Sequence, residues 1–442
     1  MFDTIIKGGT LMTPWGRVEA DLAIKDGEIA DLGRLDAGQA AAVIDATGLH
    51  VLPGVIDTQV HFREPGLEHK EDLESGSRGA VKGGVTSVFE MPNTSPPTIT
   101  TEALAYKVSR GRNRMFCDFA FFAGAAEENI DTLPVLERQE GVCGVKLFMG
   151  SSTGSLLVAD DPTIERVLAS GRRRVAIHAE DEFRLEERQD LSHQGGVHSH
   201  PVWRDEECAR LATERVIRAA RKVGRKIHVL HVTTRFEPPM LAAAKDIATM
   251  EVTPQHLTLA APECYDRLGS FAQMNPPIRG EEHRAALWEA VRLGIVDVIG
   301  SDHAPHTREE KAREYPASPS GMPGVQTLLP LMLNHVAEGR LSLERLVDLT
   351  AHGPQRIYQI AQKGRIAVGF DADLTLVDLD ATRTITDEWM ETRSGWTPFA
   401  GMQVKGWPVA TLVRGRTVMQ EDEILAPAIG QPVRFLDTHP GL

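Results

Sequence analysis

The four cysteines, Cys117, Cys143, Cys208 and Cys264, lie scattered along the chain, and no Cys-x-x-Cys pair occurs. That spacing excludes a disulfide framework and a thiolate zinc site, and it suits a reducing cytoplasm. Basic residues are in deficit: 48 Lys and Arg stand against 62 Asp and Glu, a formal net charge of −14. A nucleic-acid surface or a dock on anionic lipid needs clustered cations, so both are excluded as partners. A small anionic substrate is not excluded, because one well-placed Arg can dominate a pocket. No stretch is long and apolar enough to span a bilayer, and the start, MFDTIIKGGTLMTPWG, has no basic segment followed by an apolar one. A cytoplasmic location is expected. No Gly-x-Gly-x-x-Gly follows the first strand candidate of the central region, and neither a repeat nor a low-complexity segment is present.

What is present is enough chain, 442 residues with 42% hydrophobic and 25% charged, to bury a sizeable core. Short β-like runs open the chain at Thr4–Lys7 and Asp21–Lys25, with Gly8-Gly9 and Asp26-Gly27 as turns. Similar runs close it at Arg365–Val368, Ala372–Asp378 and Val409–Val413. Two β segments at opposite ends suggest one small composite β-sandwich domain from residues 1–51 and 364–442. The region between, 52–363, alternates apolar runs with helical stretches. Eight strand candidates stand out: Val55–Val60, Val85–Met91, Asp118–Ala123, Val145–Met149, Arg174–Ile177, Ile227–Val232, Thr249–Val252 and Val296–Ile299. Helices are expected between several of them, as at Glu206–Lys222 and Glu281–Arg292. This is the pattern of an α/β protein with a (β/α)8 TIM-like barrel. The long stretch His303–Gly324, with four prolines, is expected to be a loop able to close over a ligand.

Barrel active sites form at the C-terminal ends of the strands. Strand one ends at His61, followed by Phe62 and Arg63; strand two ends at Met91-Pro92-Asn93. Strand four carries Lys146, and strands five, six and eight end at His178, His231 and Asp302. Singly, such a histidine is usually a hydrogen-bonded core residue, such a lysine a surface residue, and such an aspartate the cap of the next helix. Jointly, three imidazoles, a carboxylate and an amine at one mouth make a metal-site pattern. Without thiolate, it suits zinc in a hydrolytic role. Other histidines fit less well. His198 and His200 lie in a polar stretch that ends no strand, and alternation points His228 to the face opposite His231. His256 follows strand seven and could reach the mouth.

At these residues the chain resembles the amidohydrolase superfamily, and within it the dihydroorotases of the long bacterial type. The resemblance runs through Pro53-Gly54-Val55-Ile56-Asp57, His61-Phe62-Arg63-Glu64-Pro65-Gly66, Glu90-Met91-Pro92-Asn93-Thr94 and Asn275-Pro276-Pro277-Ile278-Arg279. It continues in Ser301-Asp302-His303-Ala304-Pro305-His306, Lys363-Gly364-Arg365-Ile366-Ala367-Val368-Gly369 and Ala372-Asp373-Leu374. It implies one or two Zn2+ per subunit and a CO2-derived carbamate on Lys146 that bridges them. His178 and His231 would serve one metal, His61 and Asp302 the other. It makes Asp302 the base and then the acid in opening a cyclic amide. It assigns Arg63, Asn93 and His306 to the substrate carboxylate, and Asn275 to the ring edge. The implied activity is reversible hydrolysis of dihydroorotate to carbamoyl aspartate in pyrimidine biosynthesis, by a homodimer or larger assembly. A hydantoinase- or allantoinase-like activity is the alternative within the class.

One position departs from the family pattern Asp-x-His-x-His: the chain reads Asp57-Thr58-Gln59-Val60-His61. Alternation keeps Gln59 on the face of His61, but a neutral amide binds zinc more weakly than imidazole does. The departure leaves open a weakened metal position, a site with one firmly held metal, or a catalytically impaired barrel acting as a scaffold for aspartate transcarbamoylase.

Overall fold

The computed structural model describes residues 1–152, 154–425 and 427–438. Eight parallel strands form one sheet in sequence order: Val55–Val60, Val85–Glu90, Asp118–Gly124, Val142–Phe148, Val175–His178, Ile227–Val229, Ala248–Val252 and Val298–Ile299. These are barrel strands one to eight. The first and last meet at the mouth, where His61 N–H donates to the His303 carbonyl at 2.7 Å. The expected (β/α)8 barrel is therefore the observed one, with strands six and eight shorter than their apolar runs.

Period-two alternation divides the strand residues between two cores. Ile56, Phe89, Phe122, Ala176, Leu230 and Val298 fill the barrel interior, closed at its base by Tyr358, whose ring stands 5.2 Å from that of Phe89. Val55, Val88, Phe121, Val145, Ile177 and Val229 belong to the larger core beneath the helices. Helix Glu206–Val223 shows how local sequence fits this plan. Asp205 caps its start, Gly224 ends it in the left-handed conformation, and Cys208, Ala212, Val216 and Ala220 are buried along one face.

Both chain ends meet outside the barrel. A seven-stranded sheet places His50–Pro53 and Thr10–Thr13, from the start of the chain, beside Leu374–Thr384 and Gln403–Val413 from its end. A second, four-stranded sheet holds Phe2–Lys7, Asp21–Lys25, Glu28–Gly33 and Ala40–Asp45. Arg365–Val368, read from sequence as a strand, instead forms bends and a turn. Its residues flank the junction of barrel and sheets, where positive-φ Gly364 and Gly369 redirect the chain. All four cysteines are free and buried. Among the described residues no helix is long and apolar enough to cross a membrane.

A buried ion cluster ties these parts together. Lys363 Nζ lies 2.7 Å from Asp118, at the start of strand three, and 2.9 and 2.6 Å from Asp371 and Asp373, beside the seven-stranded sheet. Arg414 also pairs with Asp118. The three carboxylates could hold a metal ion by their mutual spacing, but the Lys363 ammonium already stands among them. Burial alone would lower the lysine pKa; the three carboxylates push it above its ordinary value. Lys363→Met, which leaves the carboxylates buried without their ammonium, is expected to cost about 3–5 kcal/mol. Chemical denaturation checks this, and an unchanged midpoint would remove the cluster's structural role.

Candidate active site

The strand-end residues converge on one cavity at the C-terminal mouth of the barrel. Gln59, His61, Arg63, Asn93 and Lys146 line one part of it, and His178, His231, Asn275 and Asp302 another. Phe148, Ser152, Ala304, Ser320 and Gly321 complete the wall. Its free volume is about 20 Å3, room for little more than a water molecule.

The backbone departs from regular geometry where it presents these groups. Strand one shifts register against strand two between Asp57 and Val60, after which Gln59 and His61 both face the cavity. Asp57 fixes that shift from below: its Oδ1 accepts from Ser301 N–H at 2.9 Å and Gln59 N–H at 3.2 Å. Arg63, His231 and Asp302 have φ of 64°, 35° and 45°. Non-glycine residues in this region cost about 1–3 kcal/mol each and persist where surrounding structure holds them. The turn at His231 also answers the question of faces. Strand six ends at Val229, so alternation no longer governs His231, which swings to the mouth. His228 is not turned away from the barrel as expected; it bonds Thr249 and Glu251 and packs on Tyr358 in the interior.

Two groups of donors face each other across the cavity. In the first, His178 Nδ1 and His231 Nε2 stand 3.1 Å apart. His178 Nε2 lies 2.8 Å from Glu180, and Arg204 grips the same carboxylate with Nη2 at 2.6 Å and Nε at 3.0 and 3.2 Å. Burial alone would raise the Glu180 pKa, but Arg204 and His178 hold it well below the carboxylate range. A fixed anion behind Nε2 keeps the proton there and leaves the Nδ1 lone pair facing the cavity. In the second group, Gln59 Nε2 donates to Asp302 Oδ1 at 3.0 Å, and His61 Nε2 lies 3.3 Å from that same oxygen. His61 Nδ1 lies 2.8 Å from Asn93 Oδ1. The Gln59 Oε1 atom is buried and has no partner among the described residues.

Lys146 lies 1% exposed, its Nζ 4.5 Å from the centre of the Phe148 ring and without a hydrogen bond or ion pair among the described residues. Burial pulls its pKa down to about 7. Burial likewise lowers His61 to about 4 and pushes His178 and His231 below their ordinary values. Neutral imidazoles, a bare amine, one carboxylate and an orphaned amide oxygen form a donor set that fits divalent cations.

Arg63 forms the opposite wall. It is 1% exposed and makes no ion pair among the described residues. Its Nε donates to the Pro305 carbonyl at 3.1 Å, and Nη2 lies 3.2 Å from His306 Nε2. His306 itself stands behind this wall rather than in the cavity, fully buried between Arg63, Lys70 at 3.1 Å and the Ser320 carbonyl at 3.0 Å. The loop His303–Gly324 supplies Ala304, Ser320 and Gly321 to the wall. Gly321, at φ 134°, has no room for a side chain: a Cβ there would sit 2.4 Å from the Ala304 carbonyl.

Some of the supporting residues were missed in the sequence. His200 is 1% exposed, its Nε2 lying 3.0 Å from both Asn275 Oδ1 and the Met274 carbonyl. This holds the Asn275 oxygen away and leaves its Nδ2 to donate to Ser152 Oγ at 3.3 Å. His200 had no strand end to mark it. Glu180 could have been found as a carboxylate two residues beyond His178, whereas nothing in sequence marks Arg204 as its clamp. His198 is exposed near Asp266, and His256 bonds Thr253 and the Pro276 carbonyl outside the cavity wall.

A sequence model of the amidohydrolase family matches residues 50–418. The chain belongs to the amidohydrolase family. The dihydroorotase of Halobacterium salinarum is 39% identical to it over 424 residues, 93% of this chain and 98% of that one. The allantoinase of Deinococcus radiodurans is 34% identical over 98% of each chain. Among solved structures, the L-hydantoinase (dihydropyrimidinase) from Arthrobacter aurescens superposes with a TM-score of 0.92 at 31% identity, covering 98% of this chain and 100% of that one. This amidohydrolase is thus a metal-dependent cyclic amidohydrolase, and the three relatives carry three different substrate names. Glu180→Gln keeps the shape at His178 but removes the charge behind it. The variant is expected to bind zinc about 10- to 100-fold more weakly in competition with a chelator. Unchanged affinity would show that Glu180 does not support the imidazole.

Proposed function

We propose that this amidohydrolase is a zinc-dependent dihydroorotase, which hydrolyses the ring amide of dihydroorotate reversibly to carbamoyl aspartate. The observation that carries the reading is Arg63, a buried guanidinium on the cavity wall with no ion-pair partner among the described residues. An unpaired buried charge is costly, and a planar guanidinium matches a carboxylate with two parallel hydrogen bonds. Pro305 and His306 hold Nε and Nη2, and Nη1 makes no hydrogen bond among the described residues. Lys70 behind His306 is already paired with Glu310 at 3.1 Å, so the free positive charge on this side is that of Arg63. Dihydroorotate carries a ring carboxylate, whereas hydantoin and allantoin do not.

Bound divalent cations would supply Lewis-acid polarisation and an acidified water. His178, His231 and His61 would hold them through neutral nitrogens, together with Asp302. The Lys146 amine, which burial makes far easier to deprotonate than an ordinary lysine, is suited to take up CO2 as a carbamate, losing a proton and gaining a bidentate anion. Asn275 offers its Nδ2–H to a ring carbonyl, because His200 holds its oxygen away. Asp302 faces the reacting amide from strand eight. Its carboxylate would take the proton of the attacking water as the C–O bond forms, then pass it to the ring nitrogen as the C–N bond breaks. A ring substrate is larger than the present cavity, so Ser152 on one side and Ser320–Gly321 on the other would have to part for it to enter.

Initial rates on dihydroorotate, hydantoin and allantoin, with zinc and bicarbonate present, test the proposal. Turnover of dihydroorotate, with the other two far slower, is expected. Preference for either neutral ring would replace the reading by that of the corresponding relative, and turnover of none would favour a scaffold. Arg63→Met is expected to lower kcat/KM for dihydroorotate by about 100-fold, the worth of a charged hydrogen-bonded contact. Any residual hydantoin rate should stay within a few fold; equal losses on both substrates would remove Arg63 from carboxylate recognition.

A further inference from the structure

We infer that the two cation positions at the mouth are unequal by construction, one binding zinc firmly and the other exchangeably, and that Gln59 is the cause. The inference rests on the metal site proposed above and concerns how this chain's own residues divide it. The His178–His231 side is prepared for a cation. Its facing nitrogens are 3.1 Å apart, and the Glu180–Arg204 pair fixes one of them from behind.

The side built from Gln59, His61 and Asp302 satisfies itself instead. The Gln59 amide spends its N–H on Asp302 Oδ1 at 3.0 Å, with His61 Nε2 3.3 Å from that oxygen. A cation entering here competes with that hydrogen bond and with His61 for Asp302 Oδ1. What Gln59 then offers is Oε1, the buried oxygen without a partner among the described residues. An amide oxygen is a harder and weaker donor than imidazole, so the set of one nitrogen and two oxygens suits zinc less well than the paired imidazoles opposite. Among the described residues no carboxylate behind His61 matches Glu180; its Nδ1 faces the neutral Asn93.

Metal analysis of the full-length protein after zinc loading and gel filtration reads the division directly, without reference to turnover. The wild type is expected to keep about one equivalent of zinc per chain, and Gln59→His about two, because imidazole restores a nitrogen donor and removes the amide bond to Asp302. Gln59→Leu should keep about one, since the firm position does not use residue 59. Circular dichroism melts show that each variant is folded before it is counted. Two firmly held equivalents in the wild type, no gain in folded Gln59→His, or loss of the single zinc in folded Gln59→Leu would each overturn the inference while leaving the metal site standing. No zinc retained by wild type or variants would overturn the metal site itself, and the inference with it.

Discussion

At the barrel mouth, imidazoles, an amine and a carboxylate have been taken out of water within a few ångströms of one another. Desolvation disfavours the charged form of each nitrogen, so the three histidines and Lys146 sit with pKa values pulled down and lone pairs available. The rest of the site answers this one constraint. Glu180 and Arg204 place a compensated charge behind His178, Asp57 ties strand one to strand eight, and positive φ at His231 and Asp302 turns both side chains inward. The barrel makes the concentration possible, because its parallel strands all end at the same rim.

The resulting cavity is electrically divided. Arg63 puts a buried positive charge on one wall, in a chain whose net charge is −14, while Lys70 behind it pairs with Glu310 at 3.1 Å. The proposed anionic substrate would thus meet a local charge opposite in sign to that of the whole molecule. The donor groups on the other sides have fewer protein partners than buried polar atoms normally find: Gln59 Oε1, His231 Nδ1 and Lys146 have none among the described residues. Orphaned buried atoms at one spot point to what the site is meant to hold.

Much of this could be read from residues alone, for a physical reason. A barrel strand is a short apolar run, and the residue that ends it is fixed by where the run stops; His61, His178 and Asp302 were found that way, and Lys146 as a lone cation inside such a run. His231 was found by the same rule, but the face of its neighbour His228 was misjudged, because alternation was carried two residues beyond the end of the strand. Contacts between segments distant in sequence left no such trace. Arg204 reaches Glu180 across 24 residues and His200 reaches Asn275 across 75. Arg365–Val368 has the composition of a strand but forms bends and a turn, and the chain meets the edge strand Glu28–Gly33 only after it, at Gly369 and Phe370. Gln59 was legible as a departure, yet its hydrogen bond to Asp302 was not.

The central claim is that the strand-end cluster is a metal and carbamate site rather than a buried polar network. A crystal structure of the protein grown with zinc and bicarbonate, with anomalous data at the zinc edge, tests it most directly. The account predicts an anomalous peak between His178 Nδ1 and His231 Nε2, and planar density extending from Lys146 Nζ. A bare Lys146 amine with no zinc at the mouth, or zinc found only at Asp118, Asp371 and Asp373, would contradict it.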